Sequence, residues 1–308
     1  MRLTGGEIVV QSMLKNGIPW VAGIPGHGCL ALVDTFYEAR DKLPVYLVRH
    51  EQSAAHMADG YYRVTGKPAA VFTSIGPGAL NLAVGLGTSY VDSTAMLALI
   101  GETHTYMQGR GVLQEIERKR AADSLRVLEP VSKFAHLAGR VEQLPGALNR
   151  AYAAMISGRP GPAVIAVPMD VQAEGADVNP EKLLYKKAKN ACYPDAADVR
   201  RAAELLISAK RPVILAGGGV LRSGPAASQA LVKLAERTGA AVITTMAGKS
   251  AFPEDHLLYA WHAGSKGTAC GNYLASGADL ILAVGCRFAD ESTSSYRRGT
   301  SYAIPPAK

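Results

Sequence analysis

The stretch Val45-Tyr-Leu-Val-Arg-His-Glu-Gln-Ser-Ala-Ala-His-Met-Ala-Asp-Gly-Tyr61 changes within a few residues from an apolar run to a helical pattern. The change predicts a strand over Val45 to Val48 and a helix over Ser53 to Thr65. Glu51 lies at the junction, where burial favours the protonated form of a carboxyl group and lets it donate a hydrogen bond. A simpler interpretation stays open, in which Glu51 only favours the helix N-terminus or pairs with Arg49.

Strand and helix signals alternate through the rest of the first half, with short connections. The predicted strands are apolar throughout, as is typical of strands covered on both faces. They lie at about Trp20 to Ala22, Val45 to Val48, Ala69 to Ser74, Met96 to Ile100 and Ala163 to Val167. The predicted helices lie near Ile8 to Asn16, after the capping-box spacing of Thr4 and Glu7, and near Leu30 to Ala39, Ser53 to Thr65, Ala79 to Tyr90 and Gln143 to Ser157.

A polar stretch without helical or strand periodicity, Ala173 to Ala196, separates two units. We predict an N-terminal domain over 1–175, a linker over 176–196 and a second domain over 197–308. The second domain has helix signals near Asp198 to Ser208 and Ala226 to Arg237, and strand signals from Pro212, at Ala240 to Thr245 and at Leu280 to Val284. The predicted fold class is therefore α/β, with two parallel-sheet domains that carry helices on both faces.

Composition limits the function classes. The chain has 308 residues with 48% hydrophobic content, and its net charge of +7 comes from scattered basic residues, which does not favour a nucleic-acid surface. The densest charged cluster, Glu115 to Arg120, is typical of a solvated helix face. The four separated cysteines form no zinc pattern, and we predict no metal ligands in this chain. No signal core or membrane-spanning apolar segment is found, which indicates a cytoplasmic protein without a membrane partner.

Three glycine-containing turns are candidates for ligand contact. Gly217-Gly-Gly219 lacks the third glycine of a dinucleotide fingerprint, since Arg222 stands there, but its backbone could still approach a phosphate. Gly248-Lys-Ser250 is not a Walker motif, because Ile243 replaces the leading glycine. In Ser74-Ile-Gly-Pro-Gly-Ala-Leu-Asn81 a strand ends in small residues that either form a structural turn or let a ligand ring approach the backbone.

Five short motifs follow one another along the first unit. They are Gly23-Ile-Pro-Gly26, Arg49 to Tyr61, Ser74 to Asn81, Gln114-Glu115 and Gly158-Arg-Pro-Gly-Pro162. In this order they resemble the N-terminal domain of thiamine-diphosphate enzymes, most closely the acetolactate synthase branch. The second unit resembles the nucleotide-fold central domain of the same family in Gly217 to Gly219, Phe252-Pro-Glu254, Gly264-Ser-Lys-Gly-Thr268 and Gly285 to Asp290.

The resemblance covers essentially the whole chain and implies a role for Glu51. In these enzymes the matching glutamate hydrogen-bonds the aminopyrimidine of thiamine diphosphate and favours its imino tautomer, which takes the proton from the thiazolium C2 carbon. Gln114 matches a polar group beside the substrate, a 2-keto acid such as pyruvate. The residues that match the lining of the cofactor are Pro25, Gly26, Ser74, Gly76, Pro77, Gly78 and Asn81. Those that match a nucleotide or flavin (FAD) contact are Arg159, Gly217, Gly218, Gly219, Gly264 and Thr268.

The chain also departs from the family. Leu113 stands where an aromatic residue is usual, and Met169 where a lysine is usual, so a sulfoacetaldehyde acetyltransferase or a keto-acid oxidase stays an alternative. The Gly-Asp-Gly segment that binds Mg²⁺ and the diphosphate does not occur in the sequence. Ile304 to Lys308 resembles an interruption within the central domain.

We therefore expect a further domain, from the same polypeptide or from a separate C-terminal subunit, to complete the active site. The family implies a homodimer or homotetramer, and we expect the isolated chain to be inactive. Two other hypotheses stay open: a non-catalytic binding or regulatory chain with this fold, and a nucleotide-binding module that acts through the second unit alone.

Overall fold

A computed structural model describes residues 1–116, 123–186 and 193–308. The chain divides into two compact units, Met1–Lys189 and Asn190–Lys308. The division falls inside the span that we predict as the linker, 176–196.

The first unit alternates strands and helices. Its strands are β1 (Arg2–Thr4), β2 (Val21–Gly23), β3 (Val45–Leu47), β4 (Ala69–Thr73), β5 (Met96–Glu102), β6 (Phe134–Leu137), β7 (Ala163–Pro168) and β8 (Gly175–Asp177). Its helices are α1 (Gly5–Lys15), α2 (Leu30–Glu38), α3 (Glu51–Thr65), α4 (Pro77–Leu80), α5 (Ala83–Asp92), α6 (Ser124–Leu128), α7 (Leu144–Ile156) and α8 (Met169–Ala173).

A parallel sheet in the order β3-β2-β4-β5-β7-β6 forms the centre of this unit. Successive side chains of a strand point to opposite faces, and both faces of this sheet are apolar. Ala70 and Phe72 of β4 pack with α1, α2 and α7, whereas Ala69 and Val71 pack with α3 and α5. The two-sided core confirms the predicted α/β class for the first unit.

Local capping fixes where the helices begin. Glu7 donates its backbone N–H to Thr4 Oγ1 at 3.2 Å, and its carboxylate accepts the N–H of Thr4 at 2.6 Å, so the predicted capping box opens α1. At α3 the ring of His50 accepts the N–H of Gln52 at 3.2 Å. This cap starts α3 at Glu51, two residues before the predicted start.

Two local predictions are wrong. β3 is an edge strand rather than a doubly covered one, because Leu47 is 72% exposed and Tyr46 is 48% exposed. The single helix predicted over Ala79 to Tyr90 is two helices, α4 and α5. The break arises because the N–H of Leu82 bonds to the carbonyl of Ala79, three residues back instead of four.

Residues 176–186 of the linker segment belong with the first unit. β8 pairs antiparallel with β1, and the side chain of Leu183 is fully buried in the same core as α1 and α7. The N–H of Tyr185 also donates to Asn16 Oδ1 at 2.9 Å. These contacts tie the segment to the first unit at least as far as Tyr185.

The second unit is built on the same plan. Its strands are β9 (Pro212–Ala216), β10 (Ala241–Thr244), β11 (Tyr259–His262) and β12 (Leu280–Val284), and its helices are α9 (Ala196–Ser208), α10 (Gly218–Arg222), α11 (Pro225–Thr238), α12 (Ala269–Gly277) and α13 (Asp290–Thr293). The strands form a parallel sheet in the order β11-β10-β9-β12. Ile214 packs with α11 and Val213 with α12, so helices cover both faces, as predicted.

Asp279 gives the second unit a stabilising contact that depends on pH. Its carboxylate accepts the N–H groups of Arg211 at 2.9 Å and Lys210 at 2.8 Å, and these bonds lower its pKa, with that from Arg211 the larger cause. A carboxyl whose pKa is lower in the folded state stabilises the protein above its unfolded pKa, about 3.9. That stabilisation is lost as the pH falls through the folded pKa. We therefore expect Asp279→Asn to lower the melting temperature at pH 7, and the difference from the wild type to shrink as the pH falls below the unfolded pKa and through the lower folded pKa.

Thermal unfolding of both proteins across this pH range checks the prediction. A difference in melting temperature that stays constant from neutral to acidic pH would contradict it.

Candidate functional site

Segments that follow three neighbouring strands meet at one edge of the first sheet. β3, β2 and β4 are adjacent and parallel, so their carboxyl ends lie together, at the edge where open parallel sheets usually bind ligands. The loop after β2 contains Pro25 and Gly26, and the N–H of Gly28 in that loop donates to Ser74 Oγ at 3.2 Å. This bond joins the loop after β2 to the turn after β4.

Glu51 lies at this edge as the first residue of α3 and is only 8% exposed. Its Oε2 atom accepts a hydrogen bond from Asn81 Nδ2 at 2.8 Å. Of the simpler interpretations, the helix N-terminal position of Glu51 is present, whereas no ion pair with Arg49 occurs among the described residues. The carboxyl group is therefore held in place by a neutral amide.

The other oxygen of Glu51, Oε1, lies beside Gly78. A Cβ atom at Gly78 would lie 3.1 Å from Oε1, so even an alanine side chain would crowd this oxygen. Within residues 1–116, 123–186 and 193–308, Oε1 has no protein hydrogen-bond partner. The arrangement leaves one carboxyl oxygen of a mostly buried residue with its hydrogen-bonding capacity unused, next to a position without a side chain.

Gly76 contacts a fourth segment, the loop after β5, at the same edge. Its φ of +61° favours glycine, and a Cβ there would lie 2.0 Å from the carbonyl oxygen of Gln114. Gln114 itself is exposed and has a φ of +63°, which is uncommon for a residue with a side chain. The structure thus places Gln114 against the turn of Gly76, Pro77 and Gly78, as a site containing both would require.

Glu115, next to Gln114, has a role that the sequence did not reveal. Its carboxylate accepts the backbone N–H groups of Gly109, Gly111 and Val112 at 2.6, 2.7 and 3.1 Å. The predicted solvated helix face is wrong for Glu115, which lies in a loop, and residues 117–120 of that cluster lie outside the described ranges. Gly109 and Gly111, which precede Glu115 by six and four positions, are the sequence feature that could have indicated this loop.

Cys29 lies near this edge without being a nucleophile. Its Sγ atom contacts the carbonyl oxygen of Gly26 at 3.4 Å, and burial raises the pKa of the thiol to about 11. The thiol therefore stays protonated at neutral pH, and the thiolate that nucleophilic catalysis needs does not form.

Arg159 is not brought to Glu51. It precedes β7, whose amino end lies at the opposite edge of the parallel sheet from the carboxyl ends. Its guanidinium donates to Ser93 Oγ and to the carbonyl oxygens of Tyr90 and Val91, at the end of α5. A cation at this position complements the negative end of the helix dipole.

In the second unit, the glycines after β9 serve close packing of backbone against backbone. A Cβ at Gly217 would lie 2.3 Å from the carbonyl oxygen of Gly285, and one at Gly219 would lie 2.7 Å from Gly285 Cα. A Cβ at Gly218 would lie 2.8 Å from the carbonyl oxygen of Ala247. Packing alone therefore accounts for glycine at all three positions, and their role in binding a cofactor stays a prediction.

The loop from Gly264 to Thr268 is also fixed by local bonds. Asn272, which the sequence analysis did not single out, accepts the N–H of Gly264 at 2.9 Å and donates to its carbonyl oxygen at 3.1 Å. Thr268 Oγ1 accepts the N–H of Gly271 at 3.0 Å and caps α12. The loop is thus held rigid at the carboxyl edge of the second sheet.

In the part of the chain that the structure describes, no cluster of His, Cys, Asp and Glu residues could hold a metal ion. No helix there is long and apolar enough to cross a membrane.

Two family models match the chain, one in each unit. Residues 3–122 match the thiamine pyrophosphate enzyme N-terminal TPP binding domain, and residues 199–306 match the thiamine pyrophosphate enzyme central domain. Both matches agree with the order of motifs along the sequence.

Curated relatives are similar over nearly the whole chain. The probable acetolactate synthase large subunit of Methanocaldococcus jannaschii is 36% identical over 312 residues, which cover 99% of this chain and 50% of the relative. The acetolactate synthase isozyme 3 large subunit of Escherichia coli is 34% identical, over 95% of this chain and 50% of the relative. The large subunit of Corynebacterium glutamicum is 35% identical, over 95% and 45%. The chain spans about half the length of the curated relatives it matches.

The contact between Gly76 and Gln114 predicts a specific cost of substitution. Gly76→Ala would force a Cβ atom into the Gln114 carbonyl and hold alanine at an unfavourable φ, which together cost about 1–3 kcal/mol or more of the free energy of unfolding. Gly60→Ala is the matched control, because Gly60 lies within α3 with nothing within 4 Å of its Cβ position. The control should be stabilising by about 0.5–1 kcal/mol. Urea unfolding of both variants measures the two effects, and equal stability of the two variants would be inconsistent with this contact.

Proposed function

The chain belongs to the thiamine pyrophosphate enzyme family, and we propose that it forms the pyrimidine-binding and central parts of an acetolactate synthase-like enzyme that acts on 2-keto acids. The names of its relatives support this reaction class, and pyruvate is the substrate that we propose. The reaction is a carboligation that follows decarboxylation.

The buried Glu51 carboxyl, with Oε2 held by Asn81 and Oε1 beside Gly78, is the observation that carries the proposal. Thiamine diphosphate supplies an electron sink for the carbanion that forms when a 2-keto acid loses carbon dioxide. The residues at this edge suit its aminopyrimidine, because an unpaired carboxyl oxygen can hydrogen-bond a ring nitrogen and the small residues leave room for a flat ring. Pro25, Gly26, Ser74, Gly76, Pro77 and Gly78 would line that ring.

Glu51 would hold or accept a proton at Oε1, the oxygen without a protein partner. Asn81 acts through Glu51, since its N–H fixes Oε2 and thereby points Oε1 towards Gly78. Only 8% of Glu51 is exposed, so most of the residue is shielded from solvent. The chain itself thus supplies a fixed proton-exchange group, which is what activation of the cofactor requires.

Gln114 would orient the 2-keto acid from the facing loop. Its backbone lies against Gly76, one residue from the proline of the same turn, and its exposed side chain is free to reach a substrate at that edge. The neighbouring Leu113 is 73% exposed, so an apolar side chain lies beside the proposed substrate position.

The proposal extends to parts that lie outside the 308 residues. We propose that Mg²⁺ and the diphosphate are bound by a domain contributed by the same polypeptide or a separate C-terminal subunit, as the length of the relatives supports. FAD would bind the second unit near the rigid loop of Gly264 to Thr268. We also propose that the protein is a cytoplasmic homodimer or homotetramer. The names of the relatives describe large subunits, which supports a separate small subunit as a partner.

Glu51→Gln tests the function directly. A glutamine keeps the size of the side chain but cannot exchange a proton, so we expect acetolactate formation from pyruvate to fall by a factor on the order of 10²–10⁴ in the complete enzyme. The assay contains thiamine diphosphate and Mg²⁺, and Glu38→Gln, at the exposed end of α2, is the matched control. Full activity of Glu51→Gln would exclude this role.

Asn81→Ala tests whether Asn81 acts through Glu51. Removal of the amide leaves Oε2 without its donor, so we expect a decrease in kcat smaller than that of Glu51→Gln. The double variant should be no slower than Glu51→Gln alone, because residues that act as a unit are not additive. Steady-state kinetics of the three variants check this, and fully additive losses would indicate independent roles.

A further inference from the structure

We propose that Glu115 is a positioning residue that holds Gln114 against the turn of Gly76 by closing the loop of residues 109–115 around its own carboxylate. The inference rests on the proposed function, in which Gln114 contacts the substrate. The side chain of Glu115 faces its own loop and not the candidate site.

Both carboxylate oxygens of Glu115 accept hydrogen bonds from backbone N–H groups of its own loop. Oε1 accepts the N–H of Gly109 at 2.6 Å, while Oε2 accepts those of Gly111 at 2.7 Å and Val112 at 3.1 Å. Hydrogen bonds to an ionised carboxylate are short and about twice as strong as neutral ones. The N–H of Glu115 also bonds to the carbonyl of Val112 at 3.0 Å, so the loop is closed at its base as well.

Closing the loop in this way requires positive φ angles at two positions, and both are glycines. Gly109 has a φ of +77° and Gly111 a φ of +70°, and alternating backbone of this kind turns successive N–H groups towards one anion. Elsewhere such a concavity binds a phosphate or a carboxylate from a ligand. Here the chain fills it with its own glutamate, which makes the loop a self-contained rigid unit.

The rigid unit matters because Gln114 precedes Glu115 directly. Gln114 is held at a φ of +63°, and its carbonyl oxygen lies where a side chain of Gly76 would be. A residue with an uncommon backbone conformation persists only when its surroundings determine it. The bonds of Glu115 provide this restraint on one side, and the contact with Gly76 provides it on the other.

The hydrogen bonds that Glu115 accepts are divided between its two carboxylate oxygens, so different substitutions remove different bonds. Glu115→Ala removes all three acceptors. Glu115→Gln keeps one oxygen, which can take the place of Oε2 at Gly111 and Val112, but presents an N–H₂ group to Gly109. Glu38→Ala, on the exposed end of α2, is the matched control.

Hydrogen–deuterium exchange of the complete protein, without cofactor, measures these bonds directly. We expect exchange at Gly109, Gly111 and Val112 to accelerate by a factor on the order of 10 or more in Glu115→Ala, and at Gly109 alone in Glu115→Gln. Thermal unfolding of each variant shows whether the rest of the protein is intact. Unchanged exchange in the loop of Glu115→Ala would overturn the proposal.

Kinetics then test whether the loop acts through Gln114. Misplacement by about 1 Å can cost on the order of 10²-fold, so Glu115→Ala should lower kcat/KM for pyruvate by about 10- to 100-fold, and Glu115→Gln should recover part of that loss. Adding Glu115→Ala to Gln114→Ala should cause no further loss. A further loss of the same size in the double variant would overturn the positioning role.

The two measurements distinguish this inference from the proposed function. If the wild-type protein forms no acetolactate and Glu51→Gln changes nothing, the proposed function fails, while exchange still tests the closure of the loop. If the wild type is active and Glu115→Ala keeps full activity with an opened loop, the positioning role alone is wrong.

Discussion

The hydrogen bond from Asn81 to the carboxyl group of Glu51 is the contact on which the site depends. It joins residues 30 positions apart, and it forms only because parallel pairing puts the ends of β3 and β4 on either side of β2 at one edge of the sheet. Asn81 is the residue that directly follows α4, at the break before α5. The bond occupies Oε2 and leaves Oε1 beside Gly78.

The other side of the site is held by backbone constraints instead of side-chain bonds. Gly76 and Gln114 both have positive φ angles and meet through the carbonyl oxygen of Gln114. Strained or uncommon conformations of this kind cluster at functional sites, where the surrounding structure maintains them. The candidate site thus combines a carboxyl group held by an amide with a loop held by its own carboxylate.

In the second unit, glycines that resemble a ligand-binding motif also have a structural role. The glycines after β9 resemble a nucleotide-binding motif, yet each lies within 3 Å of backbone at its Cβ position, so packing between turns already requires them. The loop of Gly264 to Thr268 is fixed by Asn272 and by the cap on α12. Both features produce a rigid carboxyl edge, which is where a parallel sheet presents its backbone to a ligand.

The sequence by itself determined the α/β class, most strands of the two sheets, though not β6 or β11, and the segment that carries Glu51. Those follow from local periodicity and capping, because a run such as Ala69 to Thr73 can be stable only when buried on both faces. Only the tertiary structure decided that β3 is an exposed edge, that Asn81 bonds Glu51, that Glu115 closes a loop, and that Arg159 lies at the opposite edge of the sheet. The physical reason is that strand order and side-chain partners depend on contacts between residues far apart in the chain, which a pattern of neighbouring residues does not encode.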